Sequence, residues 1–144
     1  MVWISGSRTE RNLKVSFSRL SQSHLRFKFF ALRSDDEGLL SCSALFRATS
    51  DSVASSATRA LAFHAAVGDP ITAQPLDDLP DMVRATILSL TRDYTVTYPD
   101  MAATARAEGF GDIAAWFESV GHRKKHFADR LQHAIAAGLT DAAK

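Results

Sequence analysis

Apolar side chains recur at helical spacing in the first part of the chain. Their steps along the sequence alternate between four and three, and His24 fills one step, at Leu13, Phe17, Leu20, His24, Phe27 and Ala31. This spacing places the side chains on one face of an α-helix. Ser7 or Thr9 is suited to cap its start, and "SDDEG" at 34–38 interrupts the pattern. We therefore predict a first long helix with one buried face.

A second helix is predicted by the same rhythm further along the chain. The stripe consists of Phe46, Thr49, Val53, Ser56, Ala60, Phe63 and Val67. The segment that follows, "GDPITAQPLDDLPD" at 68–81, contains three of the four prolines. A segment of that length and composition is typical of a crossover along a helix bundle rather than of a tight turn.

Two further helices are predicted in the second half of the chain. The third begins at about Met82, and its stripe consists of Val83, Thr86, Leu90, Asp93 and Thr97. Pro99 should kink or restart it, because proline lacks the backbone N–H of a helix interior. Gly109 suits a left-handed helix end, and the fourth helix should run from about Asp112 to Ala137.

This order of elements predicts an all-α protein. Four long helices with one long connection after the second are typical of an antiparallel four-helix bundle of the ferritin-like kind. We expect one domain over residues 1–144, with its core at about 6–137.

Composition narrows the possible functions only slightly. The chain has 144 residues, 46% of them hydrophobic, and a formal net charge of +1, so we expect neither nucleic acid nor membrane as a partner. A single cysteine, Cys42, excludes an intrachain disulfide and a metal site built from several cysteines. Without a long apolar run we expect no signal peptide and no membrane span, and hence a cytoplasmic location.

Two stretches of the sequence carry a resemblance to a known family. "GSRTERNL…SF…SQ…RFKFFA" over 6–31 and "TYPDMAATARAEGFGDIAAWFESV" over 97–120 resemble the rubrerythrins. The resemblance implies a four-helix bundle with a di-iron carboxylate centre that reduces hydrogen peroxide, and commonly a homodimer. Many rubrerythrins also carry a C-terminal rubredoxin domain with two CxxC pairs, and a chain with one cysteine is expected to lack it.

The resemblance also implies which positions of this chain correspond to the iron ligands of the family. In "RLSQ" of the first helix, in "DSVASS" of the second, ahead of "YP" in the third and in "RKKH" of the fourth, most of the expected glutamates and histidines are replaced. The matched positions hold Leu20, Val53, Ser56, Leu90, Asp93, Arg123 and His126. Phe27 stands where the family has a tyrosine next to the centre.

These replacements predict that the framework is kept without its cofactor. A di-iron site needs about four carboxylates to balance and bridge its cations, and here only Asp93 and His126 could bind iron. Burying Leu or Val instead contributes roughly 1.5–3 kcal/mol per side chain. We predict no cofactor, and a buried ion pair between Asp93 and Arg123 where the metal would lie.

Several functions remain open at this point. The leading hypothesis is a non-catalytic interaction, regulatory or scaffold module, dimeric and with an unknown protein partner or small ligand. One alternative is a divergent peroxide-reducing or mononuclear-metal oxidoreductase that uses Asp93 and His126, with His122 as a further ligand one helical turn away. A third is a small-molecule site where Ser56, Asp93, Arg123 and His126 would replace the irons.

Overall fold

The computed structural model describes residues 3–138 and divides the chain at Pro70 and Ile71 into two compact helical units. In the first unit, α1 (Arg8–Asp36) and α2 (Leu40–His64) contact each other along their lengths and form a hairpin. Ser7 caps α1, because its Oγ accepts a hydrogen bond of 3.1 Å from the Glu10 backbone N–H. The stripe predicted for α1 is confirmed, since every position in it is buried or half-buried.

The two helices of this hairpin meet through small and polar side chains. Four of the five buried positions of α2 lie seven residues apart, at Ser43, Ser50, Ala57 and His64. The Ser50 hydroxyl donates a hydrogen bond of 2.9 Å to the backbone carbonyl of His24. This stripe lies beside the one predicted for α2, of which Ser56 and Phe63 are exposed. Small side chains here allow close approach of the helices.

The second unit begins at Ile71, within the connection at 65–78 that follows α2. Its first helix, α3 (Leu79–Arg92), starts three residues earlier than the predicted Met82. Asp78 caps it by accepting a hydrogen bond of 2.8 Å from the Asp81 backbone N–H. Pro80 lies in the first turn, where a proline costs nothing because no helical partner awaits its missing N–H.

The third predicted helix is one continuous helical segment with an irregular turn in its middle. A π-helical turn (Asp93–Thr97) joins α3 to α4 (Tyr98–Ala107), and the Tyr98 N–H bonds to the Asp93 carbonyl five residues back. Pro99 follows directly. Its ring would clash with the carbonyl of Thr95 in a regular α-helix, so the wider turn relieves the conflict predicted at this proline.

The last helix, α5 (Gly111–Ala136), packs against α3 and α4. The buried positions of α4 and α5 hold only alanine or glycine, at Ala102, Ala105, Ala114, Gly121 and Ala128. A Cβ atom placed on Gly121 would lie 3.5 Å from the Cβ of Tyr98. Gly109 ends α4 with a φ of +87°, which confirms its predicted left-handed conformation.

The all-α class, the four helical segments and the long connection between the second and third are thus confirmed. In the part of the chain that the structure describes there is no β-strand. No helix among residues 3–138 is long and apolar enough to cross a membrane. The expectation of a single domain over 1–144 stays a prediction, and its ends (1–2 and 139–144) lie outside the described residues.

Candidate functional site

A lysine occupies the space next to the only acidic residue among the predicted ligand positions. The Nζ atom of Lys124 on α5 lies 2.9 Å from Oδ2 of Asp93, the first residue of the π-helical turn. The same Nζ lies 5.3 Å from the centre of the Tyr98 ring. Each side chain of the pair is about one quarter exposed, 26% for Lys124 and 27% for Asp93. The carboxylate of Asp93 therefore already has a cationic partner from the protein itself.

One turn away from this pair, α3 and α5 contribute two large apolar side chains. Leu90 of α3 and Phe127 of α5 line one open groove of about 610 Å³ between the helices. Neither side chain has an atom that can bind a metal. The spacing from Leu90 to Asp93 and from Lys124 to Phe127 is three residues in each helix, so two facing pairs lie side by side.

The structure corrects the prediction made for α5. Arg123 is exposed and donates a hydrogen bond of 2.7 Å from Nη1 to the Ser119 hydroxyl on its own helix. His126 is also exposed. The predicted buried Asp93–Arg123 ion pair is therefore wrong in its cation and in its burial, because the cation that pairs with Asp93 is Lys124. The idea of an ion pair at Asp93 was sound, but its position on α5 was off by one residue.

A signal for the correct position was present in the sequence. Large side chains of α5 alternate in steps of four and three at Ile113, Phe117, Val120, Lys124, Phe127 and Leu131. That stripe includes Lys124 and Phe127 and leaves out Arg123 and His126. A charged residue inside an otherwise apolar stripe indicates that a partner of opposite charge faces it. The resemblance of "RKKH" to a Glu-x-x-His motif indicates Arg123 and His126 instead.

The remaining matched positions lie in the first unit and are described within it. Leu20 of α1 and Val53 of α2 are half-buried, while Ser56 is exposed. Phe27, in place of the tyrosine, lies in an aromatic cluster, with its ring centre 6.3 Å from that of Phe46 and 6.2 Å from that of Phe30. Leu20 and Val53 offer no donor atom, so this hairpin contributes no carboxylate at the matched positions.

The alternative site made of Asp93, His122 and His126 is not assembled in the structure. His122 lines a different cavity of α5, beside α4, and Asp93 is held by Lys124. Within residues 3–138, no group of three or more His, Cys, Asp or Glu side chains is arranged to hold a metal ion. The spacing of the two histidines alone therefore does not identify a metal site.

The residues present do not fit the di-iron centre that the resemblance implies. In ferritin-like di-iron proteins, each of two helices supplies a glutamate and each of the other two a Glu-x-x-His pair. Here the carboxylate of Asp93 is paired with an ammonium group, and Leu90 faces Phe127 in the groove. The ammonium group of Lys124, 2.9 Å from the Asp93 carboxylate, opposes binding of a metal cation there.

Comparison with known proteins gives the ancestry of the chain. A rubrerythrin of Nitratidesulfovibrio vulgaris is 31% identical over 135 residues, which cover 88% of this chain and 70% of that protein. A rubrerythrin of Porphyromonas gingivalis is 30% identical over 134 residues, which cover 87% of this chain and 67% of that protein. No family profile matches the sequence. The similarity to these two proteins extends over nearly the whole chain, which therefore belongs to the rubrerythrin family.

Proposed function

We propose that this protein is a rubrerythrin-family helical protein that has lost the di-iron centre and acts as a non-catalytic interaction, regulatory or scaffold module. The observation that carries the proposal is the Asp93–Lys124 ion pair. It puts a protein cation beside the one carboxylate that remains among the matched ligand positions. We also infer that Lys124 and Phe127, rather than Arg123 and His126, occupy the former ligand positions of the last helix.

Energetics support a fold that does not depend on metal. A cluster of buried carboxylates without a metal would cost several kcal/mol per uncompensated charge. Here the single carboxylate is about one quarter exposed and is paired with Lys124, whose ammonium group also lies over the Tyr98 ring. The neighbouring positions, Leu90 and Phe127, contribute apolar surface instead of charge. The negative charge of Asp93 is therefore balanced without a metal ion.

An exposed apolar stripe on α1 supports the interaction role. Leu25, Phe29 and Leu32 follow one another at steps of four and three, so they lie along one side of the helix. Their exposed fractions are 64%, 60% and 57%. Contiguous exposed apolar side chains of this size are typical of a protein–protein contact. We propose that a second copy of the chain covers this stripe in a homodimer, and that the protein acts in the cytoplasm.

Metal content tests the proposal directly. Untagged protein is analysed by plasma mass spectrometry as purified and again after anaerobic loading with ferrous iron and desalting. We expect less than about 0.1 metal per chain in both samples, because the donor set of a binding site is incomplete. Two irons per chain would contradict the proposal and would revive peroxide reduction as the function. One metal per chain would point to the mononuclear alternative.

The dimer has its own measurement. Sedimentation velocity at micromolar concentration should give a single species of two chains, and Phe29→Glu should convert it to one chain. Arg19→Glu, at an exposed position of α1 that lies about 120° around the helix from Leu25 and so off the apolar stripe, serves as the control. A monomeric wild-type protein would overturn the homodimer while leaving the metal argument unaffected.

A further inference from the structure

We propose that a cavity between α4 and α5 binds a small aromatic anion, a carboxylate or sulfonate carried on one or two fused rings. The cavity has a volume of about 350 Å³ and lies wholly within the second unit. Its size falls in the range of small-molecule sites, which start at about 300 Å³. It uses other residues of α5 than the groove of Leu90 and Phe127, so it is separate from the former metal positions.

The floor of the cavity is aromatic and tightly built. The rings of Tyr98 and Phe117 meet edge to face, with centres 6.1 Å apart and planes at 70°. Ala102, which is buried, and Gly121, which has no side chain, also line the cavity. A flat ring can lie against these faces, and aromatic pairs in such geometry gain stability beyond the area that they bury.

The charges around the cavity favour an anion. Glu118 is the only acidic residue of the lining, and its Oε1 accepts hydrogen bonds of 2.6 and 3.2 Å from Arg106. That pair is neutral as a whole. His122 and Lys125 also line the cavity, and within residues 3–138 neither takes part in an ion pair or a side-chain hydrogen bond. The lining is therefore net positive, with a lysine ammonium free to meet a carboxylate or sulfonate.

The two features together define the class of ligand. Inorganic phosphate would satisfy the cations but would leave the ring surfaces of Tyr98 and Phe117 exposed to water. A long aliphatic acid would exceed the cavity and gain less from the rings. A bicyclic carboxylate matches both the volume and the placement of the free charge at the rim.

The test is a titration of the full chain with 2-naphthoate, followed by calorimetry and by saturation-transfer NMR. For a ligand of this size we expect a Kd on the order of 0.1–1 mM. The neutral analogue 2-naphthylmethanol should bind several-fold more weakly, because it cannot pair with Lys125.

Two variants with a matched control complete the test. Lys125→Glu should weaken binding of 2-naphthoate by about tenfold or more, since it turns an attraction into a repulsion. Lys28→Glu makes the same change of charge on α1 and should bind like the wild type. Ala103→Trp, at an exposed lining position, should abolish binding by filling the cavity without changing any charge.

Three outcomes would overturn the site. They are a wild-type Kd above about 10 mM, an equal loss in Lys28→Glu and Lys125→Glu, and undiminished binding by Ala103→Trp. Because the substitutions lie on the surface, far-UV circular dichroism of each variant should match the wild type. Metal content does not enter these measurements, so their result is independent of the fate of the di-iron centre.

Discussion

The two helical units differ in the side chains that form their buried helix–helix contacts. In the α1–α2 hairpin the closest contact is polar, with Ser50 and His24 joined by hydrogen bonds and Ser50 only 1% exposed. In the second unit α4 meets α5 through alanines and Gly121. Hydrogen bonds between two helices form in only one alignment of the helices, because donor and acceptor must meet. A stripe of methyl groups requires only that the two surfaces fit in shape.

The hydrogen-bond directions in the first unit sharpen this contrast. The Ser50 hydroxyl gives its proton to the His24 carbonyl at 2.9 Å. The Nδ1 atom of His24 lies 3.0 Å from the Ser50 carbonyl and 2.8 Å from the Ser50 hydroxyl oxygen. Since a carbonyl can only accept and the hydroxyl proton is already used, Nδ1 must carry the proton. Two residues thus exchange hydrogen bonds across the helices, which fixes the alignment of α1 against α2.

The largest effect is expected where the second unit is most tightly packed. Gly121→Leu should lower the free energy of unfolding by about 1–3 kcal/mol, because the added atoms must displace Tyr98. Urea unfolding followed by circular dichroism gives this value. Gly121→Ala is the control: its Cβ would lie 3.5 Å from the Tyr98 Cβ, an ordinary contact, and alanine favours a helix by about 1 kcal/mol. A Leu variant as stable as the wild type would mean that the close contact does not hold this unit together.

A somewhat smaller effect is expected in the first unit. Ser50→Ala removes the donor to the His24 carbonyl and one acceptor for Nδ1, and should cost about 1–2 kcal/mol in the same assay. Ser52→Ala, an exposed serine of the same helix, should change stability by less than about 0.5 kcal/mol. Equal values for the two variants would remove the polar contact as the basis of the comparison.

The ion pair between Asp93 and Lys124 should contribute less. Lys124→Met leaves Asp93 without its partner and should cost about 1 kcal/mol or less, because both side chains remain partly in water. The cost should shrink in high salt, which screens the pair. Arg123→Met, at the position first predicted to pair, should have no measurable effect. If Arg123→Met is the more damaging change, the assignment of Lys124 as the partner of Asp93 is wrong.

The smallest effect is expected in the pH dependence of the melting temperature. A hydrogen bond from the Ser43 hydroxyl, followed by the charge and hydrogen bond of Arg47, lowers the pKa of Asp35 despite some opposing desolvation. A carboxyl whose pKa is lower in the folded state stabilises the fold above its unfolded pKa, and this contribution is lost as the pH falls through the folded pKa. Asp35→Asn should therefore lower the melting temperature at about pH 7 and make no difference at about pH 2.

Asp36→Asn is the matched control for this prediction. Asp36 is exposed and forms no ion pair among the residues that the structure describes. Its substitution should leave the melting temperature unchanged at both pH values. A similar loss in both variants at neutral pH would indicate a general effect of charge near the end of α1 rather than the contact of Asp35 with Ser43 and Arg47.

Local spacing predicted α1 well because this helix has one largely apolar buried stripe. The stripe of α1 was correct at every position, and Gly109 marked the end of α4 as expected. The buried serines of α2 were harder to predict. Ser43 and Ser50 look like solvent-facing residues by composition, and only contact with α1 makes them interior positions. The hydrophobicity of a small polar residue does not indicate whether its side chain will be buried against another helix.

The predicted and the observed partner of Asp93 differ by one position along α5. The sequence predicts an ion pair at Asp93, and the structure has one, but the partner is Lys124 rather than the Arg123 that the resemblance of "RKKH" to a Glu-x-x-His motif indicates. The alternation of apolar residues along α5 carried the better information, and it selects Lys124 and Phe127. When a motif has decayed, the amphipathic pattern of its helix is a firmer guide to position than one surviving residue.

The π-helical turn at Asp93–Thr97 has a consequence for how the protein tolerates changes in length. Such a turn holds one residue more than the corresponding α-helical turn. Loss of a single residue there can be absorbed by tightening to a regular helix, with the flanking faces of α3 and α4 still turned toward α5. The same deletion elsewhere in either helix would rotate everything beyond it by about 100°. Within the helical segment from Leu79 to Ala107, this turn is thus the place where the chain carries spare length.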